Sequence, residues 1–369
     1  MVKENISLTQ LFVLIFNFLL GSSIVIGIGK ETMQNAWISI LLMTFIGIGL
    51  MYLYYSINSL LPNKNLFEIL EYCFTRPISM LLSLGYVVYF LYAATRVMRT
   101  FGEMITTAIL PNTPIEVISL TIMLVVAYIL YLGIEVLARV SEIFTPYTVV
   151  FIILLLILLI PNMQFHYLQP ILGVGIKQII DSMFPHMLLF PFGELIVFTV
   201  ILTSVRKLEK GKKVSLIAVL TAGIFLVIST ILMIITAGAD AFQYSNFPML
   251  SAARLVSLGN FLERIEIIVV FIMTLGVVTK VSVYIYCGLK GMEYIFRLPY
   301  RYFTLPISML VSCFSILIAV NYGDHLKTLK SPIIIYFYVT MQFIIPILTI
   351  IILKWKTKKN HSAQNGVKY

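Results

Sequence analysis

Glu194 follows Phe190-Pro191-Phe192-Gly193 near the middle of an apolar run, where a carboxylate costs several kcal/mol unless it is paired or solvated. If Gly193 opens a half-helix, Glu194 sits in its first turn, where exposed amides and the helix dipole favour negative charge. Such an acid can meet the ammonium of a ligand, or it can brace the broken segment as a cap. The first apolar run offers a complement: Gly21-Ser22-Ser23 near its centre, with Gly27 and Gly29 beyond. Amides at a half-helix N-terminus there would hydrogen-bond a carboxylate, while the carbonyls of Phe190, Pro191 and Phe192 would take an ammonium. An amino acid is the ligand that suits both ends.

Lys280 is the other deep charge, about five residues past the centre of its run, some 7.5 Å by helix rise. It either snorkels to the inner interface or presents a fixed ammonium inside the bundle. Glu263, Arg264 and Glu266 cluster at the outer end of the same run and read as local structural bridges worth little. Arg96, Arg99 and Glu103 recur on one helical face and point to a subunit, an external vestibule or one another. Tyr89 and Tyr92 lie near the middle of that run and either border the ligand or serve ordinary packing. His166, His186, His325 and His361 are dispersed without metal-ligand spacing, and His186 reads as a packed histidine. Cys73, Cys287 and Cys313 form no CxxC pair and read as small core residues. With no Gly-rich phosphate loop, nucleophile elbow or paired carboxylates set for hydrolysis, neither an enzyme nor a cofactor or metal site is expected.

These residues sit in an unusual solvent. Of 369 residues 60% are hydrophobic and 11% charged, an excess that one aqueous core cannot hide. Apolar runs long enough to cross a bilayer predict about ten helical spans, at 7–33, 36–58, 78–108, 114–133, 143–160, 181–203, 214–237, 262–287, 304–320 and 332–353. No connection is long enough for a soluble domain, so a single transmembrane domain over 1–369 is expected. The net charge of +10 does not mark a nucleic-acid binder, because the basic residues are not gathered in one patch. With the N-terminus inside, cytoplasmic segments hold about 17 of the 26 Lys and Arg and external ones about 7, as the positive-inside rule asks. Both termini are then cytoplasmic. The short basic start lacks a small-residue cleavage site, so the first span is expected to be retained.

Ten spans divide into two sets of five, and an odd number makes the second set enter with opposite polarity. Halves at 6–160 and 178–353 would form an inverted repeat. Spans one and six are where such folds break their helices. Proline removes an amide donor, and glycine costs about 1 kcal/mol against alanine in a helix. Gly21 and Pro191 could each merely permit close packing or a kink, but paired interruptions at matching places argue for a site between them.

Four features together resemble the spore germination permease family: Ile6-Ser7-Leu8-Thr9-Gln10-Leu11 leading to Gly21, the Leu110-Pro111-Asn112-Thr113-Pro114 connection, Phe190-Pro191-Phe192-Gly193-Glu194, and Glu263-Arg264-Ile265-Glu266. The likeness runs over nearly the whole chain and is carried by order and spacing. It implies a ten-span, LeuT-like fold of the amino acid, polyamine and organocation superfamily. It further implies the B subunit of a receptor in the spore inner membrane, beside a larger A subunit and a lipoprotein C subunit, detecting amino acids, sugars or nucleosides. In LeuT-like folds spans one and eight flank a sodium site, so Lys280 would stand in for that cation. The alternative is a secondary transporter carrying an amino acid with cations.

Overall fold

A computed structural model of the chain describes residues 5–173, 175–255 and 265–365. Glu263 and Arg264 lie outside the described residues, whereas Glu266 opens span eight and is half-buried. The described part is almost wholly helical. Among the described residues nine helices are long and apolar enough to cross a membrane: Leu8–Ile26, Lys30–Leu60, Arg76–Ala108, Ile115–Leu132, Ile134–Asn162, Gly175–Ser204, Leu208–Ala237, Glu266–Phe296 and Pro332–Lys358. A tenth is the pair Arg301–Leu317 and Tyr322–Thr328, bent by 105° at its break. They are numbered here as spans one to ten in chain order, the bent pair being span nine.

Local chemistry explains the ends. Span one starts at a capping box, in which Ser7 Oγ accepts the Gln10 amide at 3.1 Å and the Gln10 side chain accepts the Ser7 amide at 2.9 Å. Pro77 stands in the first turn of span three, and Pro114 immediately precedes span four. Gly133, at φ 112°, separates spans four and five with a backbone that an L side chain rarely adopts. Several spans run longer than hydropathy suggests. Span eight continues to Phe296 rather than 287, because the helix simply extends past the apolar stretch on its Lys290-bearing turns.

Spans one and six are the core of the bundle: 78% of the apolar window of each is buried inside the protein, against 22% for span five. Span one is enclosed by spans five, seven and eight, and span six lies along span two. Span eight packs on spans three and five, and span nine on spans three and four. Large apolar side chains such as Leu81, Ile143, Phe271 and Leu317 cover the outside, as lipid contact allows. Cys73 and Cys287 are buried, but Cys313 is exposed on this outer surface, where a thiol is simply another small apolar group.

Candidate ligand site

The helix of span one closes with the Gly21 amide donating to Asn17 O at 2.8 Å. Gly21 then turns to φ 25°, ψ −120°, and a four-residue piece, Ser23–Ile26, follows. Asn17 anchors this break to span five, its Nδ2 donating to Ser141 O at 3.2 Å and Thr145 Oγ1 at 2.8 Å. Span eight comes close enough here that a Cβ on Gly276 would stand 2.8 Å from Gly21 Cα.

Span six is interrupted in a different way. Its wide π-helical turns over Met183–Phe192 contain extended residues at Phe184 and Phe190, and a tighter 3-10 segment, Gly193–Val197, takes over. The carbonyls released there are answered by side chains. Gln342 Nε2 donates to Leu189 O at 3.1 Å and to Tyr89 Oη at 2.7 Å, while Tyr54 Oη donates to Gln342 O at 2.8 Å and Gly193 O at 3.3 Å. Gln342 itself lies in a widened turn of span ten, Thr340–Ile344. Tyr89 thus supports the break; Tyr92 packs edge-on to Tyr338 at 6.3 Å between centroids.

Glu194 and Lys280 meet. Both are buried, and Lys280 Nζ stands 2.7 Å from Glu194 Oε2. The lysine stem passes the first break, so that a Cβ on Gly21 would come within 2.7 Å of its Cδ. Its ammonium lies 4.4 Å from the Phe190 ring centroid and 5.1 Å from that of Phe18. Snorkelling is therefore corrected: the side chain runs along the glycine gap to a carboxylate inside the bundle, not towards the interface.

Above this pair is a cavity of about 520 Å³. Its walls are Ser22 and Ile26 of span one, the non-helical link of residues 27–29, Lys30 and Glu31 at the start of span two, Ala93, Arg96, Val97 and Thr100 of span three, and His186, Met187, Phe190 and Glu194 of span six. Residues 243–246, Tyr322, His325, Lys330 and Tyr338 complete it. The cavity opens on the face that carries the connections after spans one and seven and the bent end of span nine, opposite Ile6 and Val205, which form an isolated backbone bridge at the other face.

Of the residues singled out by sequence, Ser22, Phe190 and Glu194 line the cavity, whereas Gly21, Ser23, Pro191, Phe192, Gly193 and Lys280 stand behind its wall. Phe192 is buried against Gly47 of span two. His186 lines the cavity rather than packing away in the core, since it precedes the break where span six faces open space. The charged face of span three divides: Arg99 is taken by Glu103 at 2.5 Å and by Ile316 O at 3.0 Å, while Arg96 faces the cavity. Tyr322, Tyr338 and Gln342 were not anticipated, and His325, read only as one of four dispersed histidines, lines the cavity. A glutamine inside an otherwise apolar run was the one available signal for Gln342.

A model of the family described as spore germination protein matches residues 5–322. The chain belongs to the spore germination protein family. Spore germination protein KB of Bacillus subtilis (strain 168) is 32% identical over 367 residues, covering 99% of this chain and 98% of the relative. Spore germination protein A2 of the same organism is 26% identical, with 85% of this chain and 88% of the relative covered. Among solved structures, this spore germination chain resembles a Na+-coupled sialic acid symporter in a substrate-bound outward-open state, with TM-score 0.60 and 13% identity over 92% of this chain and 80% of that one. It also resembles a nucleobase-cation-symport-1 family transporter in a closed conformation with bromovinylhydantoin bound, at TM-score 0.58 and 12% identity over 86% and 72% of the two chains. At such identities the likeness concerns the fold, an all-α, LeuT-like membrane bundle with its first and sixth helices broken.

Proposed function

We propose that the chain is the permease-like subunit of a spore nutrient receptor, holding a small nutrient, an amino acid, in the cavity between spans one, three and six. The observation that carries this reading is the cavity itself. Its volume of about 520 Å³ lies inside the range of roughly 300–1,000 Å³ usual for small-molecule sites. It is bounded by both helix breaks, and Glu194 in its wall is tied to span eight by Lys280 behind it. A ligand bound there favours one arrangement of the broken helices to the extent that it binds that arrangement more tightly. That shift is then passed to partner subunits, the larger A subunit and the lipoprotein C subunit, in the spore inner membrane. Halves at 6–160 and 178–353, related by inversion, would give the two breaks their matching depths. In this arrangement the Lys280 ammonium takes the place of a coupling cation beside span one, so ligand binding is indifferent to replacing sodium by choline.

A second reading, a secondary transporter of amino acids, draws on the likeness to two transporters and on a cavity open to one face. The purified full chain in liposomes separates the two. Saturable binding of a labelled amino-acid mixture without accumulation is the result expected for the receptor. Saturable accumulation gives the carrier, and no saturable binding of any amino acid discards both.

A further inference from the structure

Arg96 in the cavity wall is a buried cation with no carboxylate partner among the described residues. Arg96 is only 6% exposed, yet it makes no ion pair among the described residues and its Nη1 has no hydrogen-bond partner there. Its neighbours are the Tyr92 ring, whose centroid is 5.8 Å from the guanidinium carbon, and the Tyr338 hydroxyl, a neutral hydrogen-bond partner that leaves the charge unbalanced. Arg99, three residues on, shows the contrast, with a carboxylate and a carbonyl both in place. A guanidinium does not lose its proton in proteins, so it cannot escape burial by becoming neutral. A buried charge left without a partner costs several kcal/mol, which a counter-anion from outside would offset.

Glu194 cannot be that anion, because Lys280 already neutralises it at 2.7 Å. The remaining charges on the wall are Lys30, Glu31 and Lys330, two cations against one acid, which draw an anionic group inward. Beside Arg96 stand Thr100 and His325, bonded to each other at 3.1 Å between Oγ1 and Nε2, a polar lining next to the guanidinium. The fork of a guanidinium matches the two oxygens of a carboxylate.

We propose that Arg96 is the anchor for the carboxylate of the ligand, with the backbone of the non-helical link of residues 27–29 facing the ligand's other end. This rests on the cavity reading above and narrows it to ligands that carry a carboxylate. It also moves the carboxylate from the amides of span one to a side chain of span three.

The test uses the full chain in lipid nanodiscs and the common L-amino acids, each beside its α-carboxamide and its decarboxylated amine, with affinity read from titrated thermal unfolding. The expected result is that the unaltered chain binds an acid well and its carboxamide poorly. Arg96→Gln should weaken the acid by about 10- to 100-fold, the loss of one charge-assisted contact, without weakening the carboxamide. Arg96→Lys should fall between the two. Equal affinity of the unaltered chain and Arg96→Gln for the acid overturns the anchor and leaves the cavity reading standing. The same holds if the unaltered chain binds carboxamide or amine as tightly as acid, or is stabilised by chloride with no further gain from amino acids. If no member of the panel binds saturably, the receptor reading itself fails and takes the anchor with it. Should Arg96→Gln not assemble, Arg96→Lys and the acid-to-carboxamide ratio on the unaltered chain decide.

Discussion

Lys280 and Glu194 have in common that each is almost wholly enclosed by protein: they are 0% and 4% exposed. Removing one partner of such a pair strands the other, which typically costs about 3–5 kcal/mol, whereas replacing both by apolar groups of similar volume is often nearly neutral. Lys280→Met or Glu194→Gln alone should therefore lower the unfolding midpoint of the purified protein sharply, and the combined Lys280→Met, Glu194→Leu protein should regain most of it. Additive losses in that cycle would mean that the pair contributes little in the membrane. Sequence marked each residue as deep and charged, but not that they meet. Depth is written in hydropathy; which residue of span eight faces which residue of span six depends on how two helices are rotated about their axes, and that is set by packing. The same is true of Arg96, where the charged face was visible but the division of labour with Arg99 and Glu103 was not.

At the scale of the element, both breaks were legible because they are properties of the backbone. Gly21 adopts a positive φ of 25°, and Pro191 stands where span six departs from regular winding. An alanine at Gly21 would meet strain of about 1–3 kcal/mol in that conformation, and its Cβ would approach Lys280 Cδ at 2.7 Å. Gly21→Ala is expected to push the lysine off Glu194, depress the unfolding midpoint and blunt the nutrient response while the protein still reaches the membrane. An unchanged dose dependence in that variant would remove Gly21 from the site. The turn ending span nine was not foreseen. The stretch Asn321-Tyr322-Gly323-Asp324 is too polar to read as membrane, and it forms a short helix whose Asn321 cap accepts the Asp324 amide at 2.9 Å and whose His325 reaches the cavity. Hydropathy assigns such a segment to solvent, whereas the fold turns it across the mouth of the bundle.

For the whole molecule, the positive-inside asymmetry and the position of the cavity make one joint statement. Basic segments such as Arg206 to Lys213 lie on the face away from the cavity mouth. If that face is cytoplasmic, the site samples the outside. In a background lacking the native cysteines, Tyr244→Cys should react with an impermeant maleimide added to intact cells, since Tyr244 is 78% exposed at the mouth. Arg206→Cys should react only after permeabilisation. The reverse pattern would place the cavity on the cytoplasmic side. Span number and order were largely readable from sequence, since each apolar run must satisfy its own backbone as a helix.

The two interruptions are not mechanical equals. Carbonyls loosened in span six are already gripped by Gln342 and Tyr54, so displacing that segment drags spans two, three and ten along with it. Beyond Gly21, span one offers only the four residues Ser23–Ile26 before Gly27 and Gly29 turn the chain again, a light piece between three pivots. The stiff wall and the lighter one therefore face each other across the cavity, and if a molecule is enclosed there the movement would fall to the cavity-side tip of the first helix.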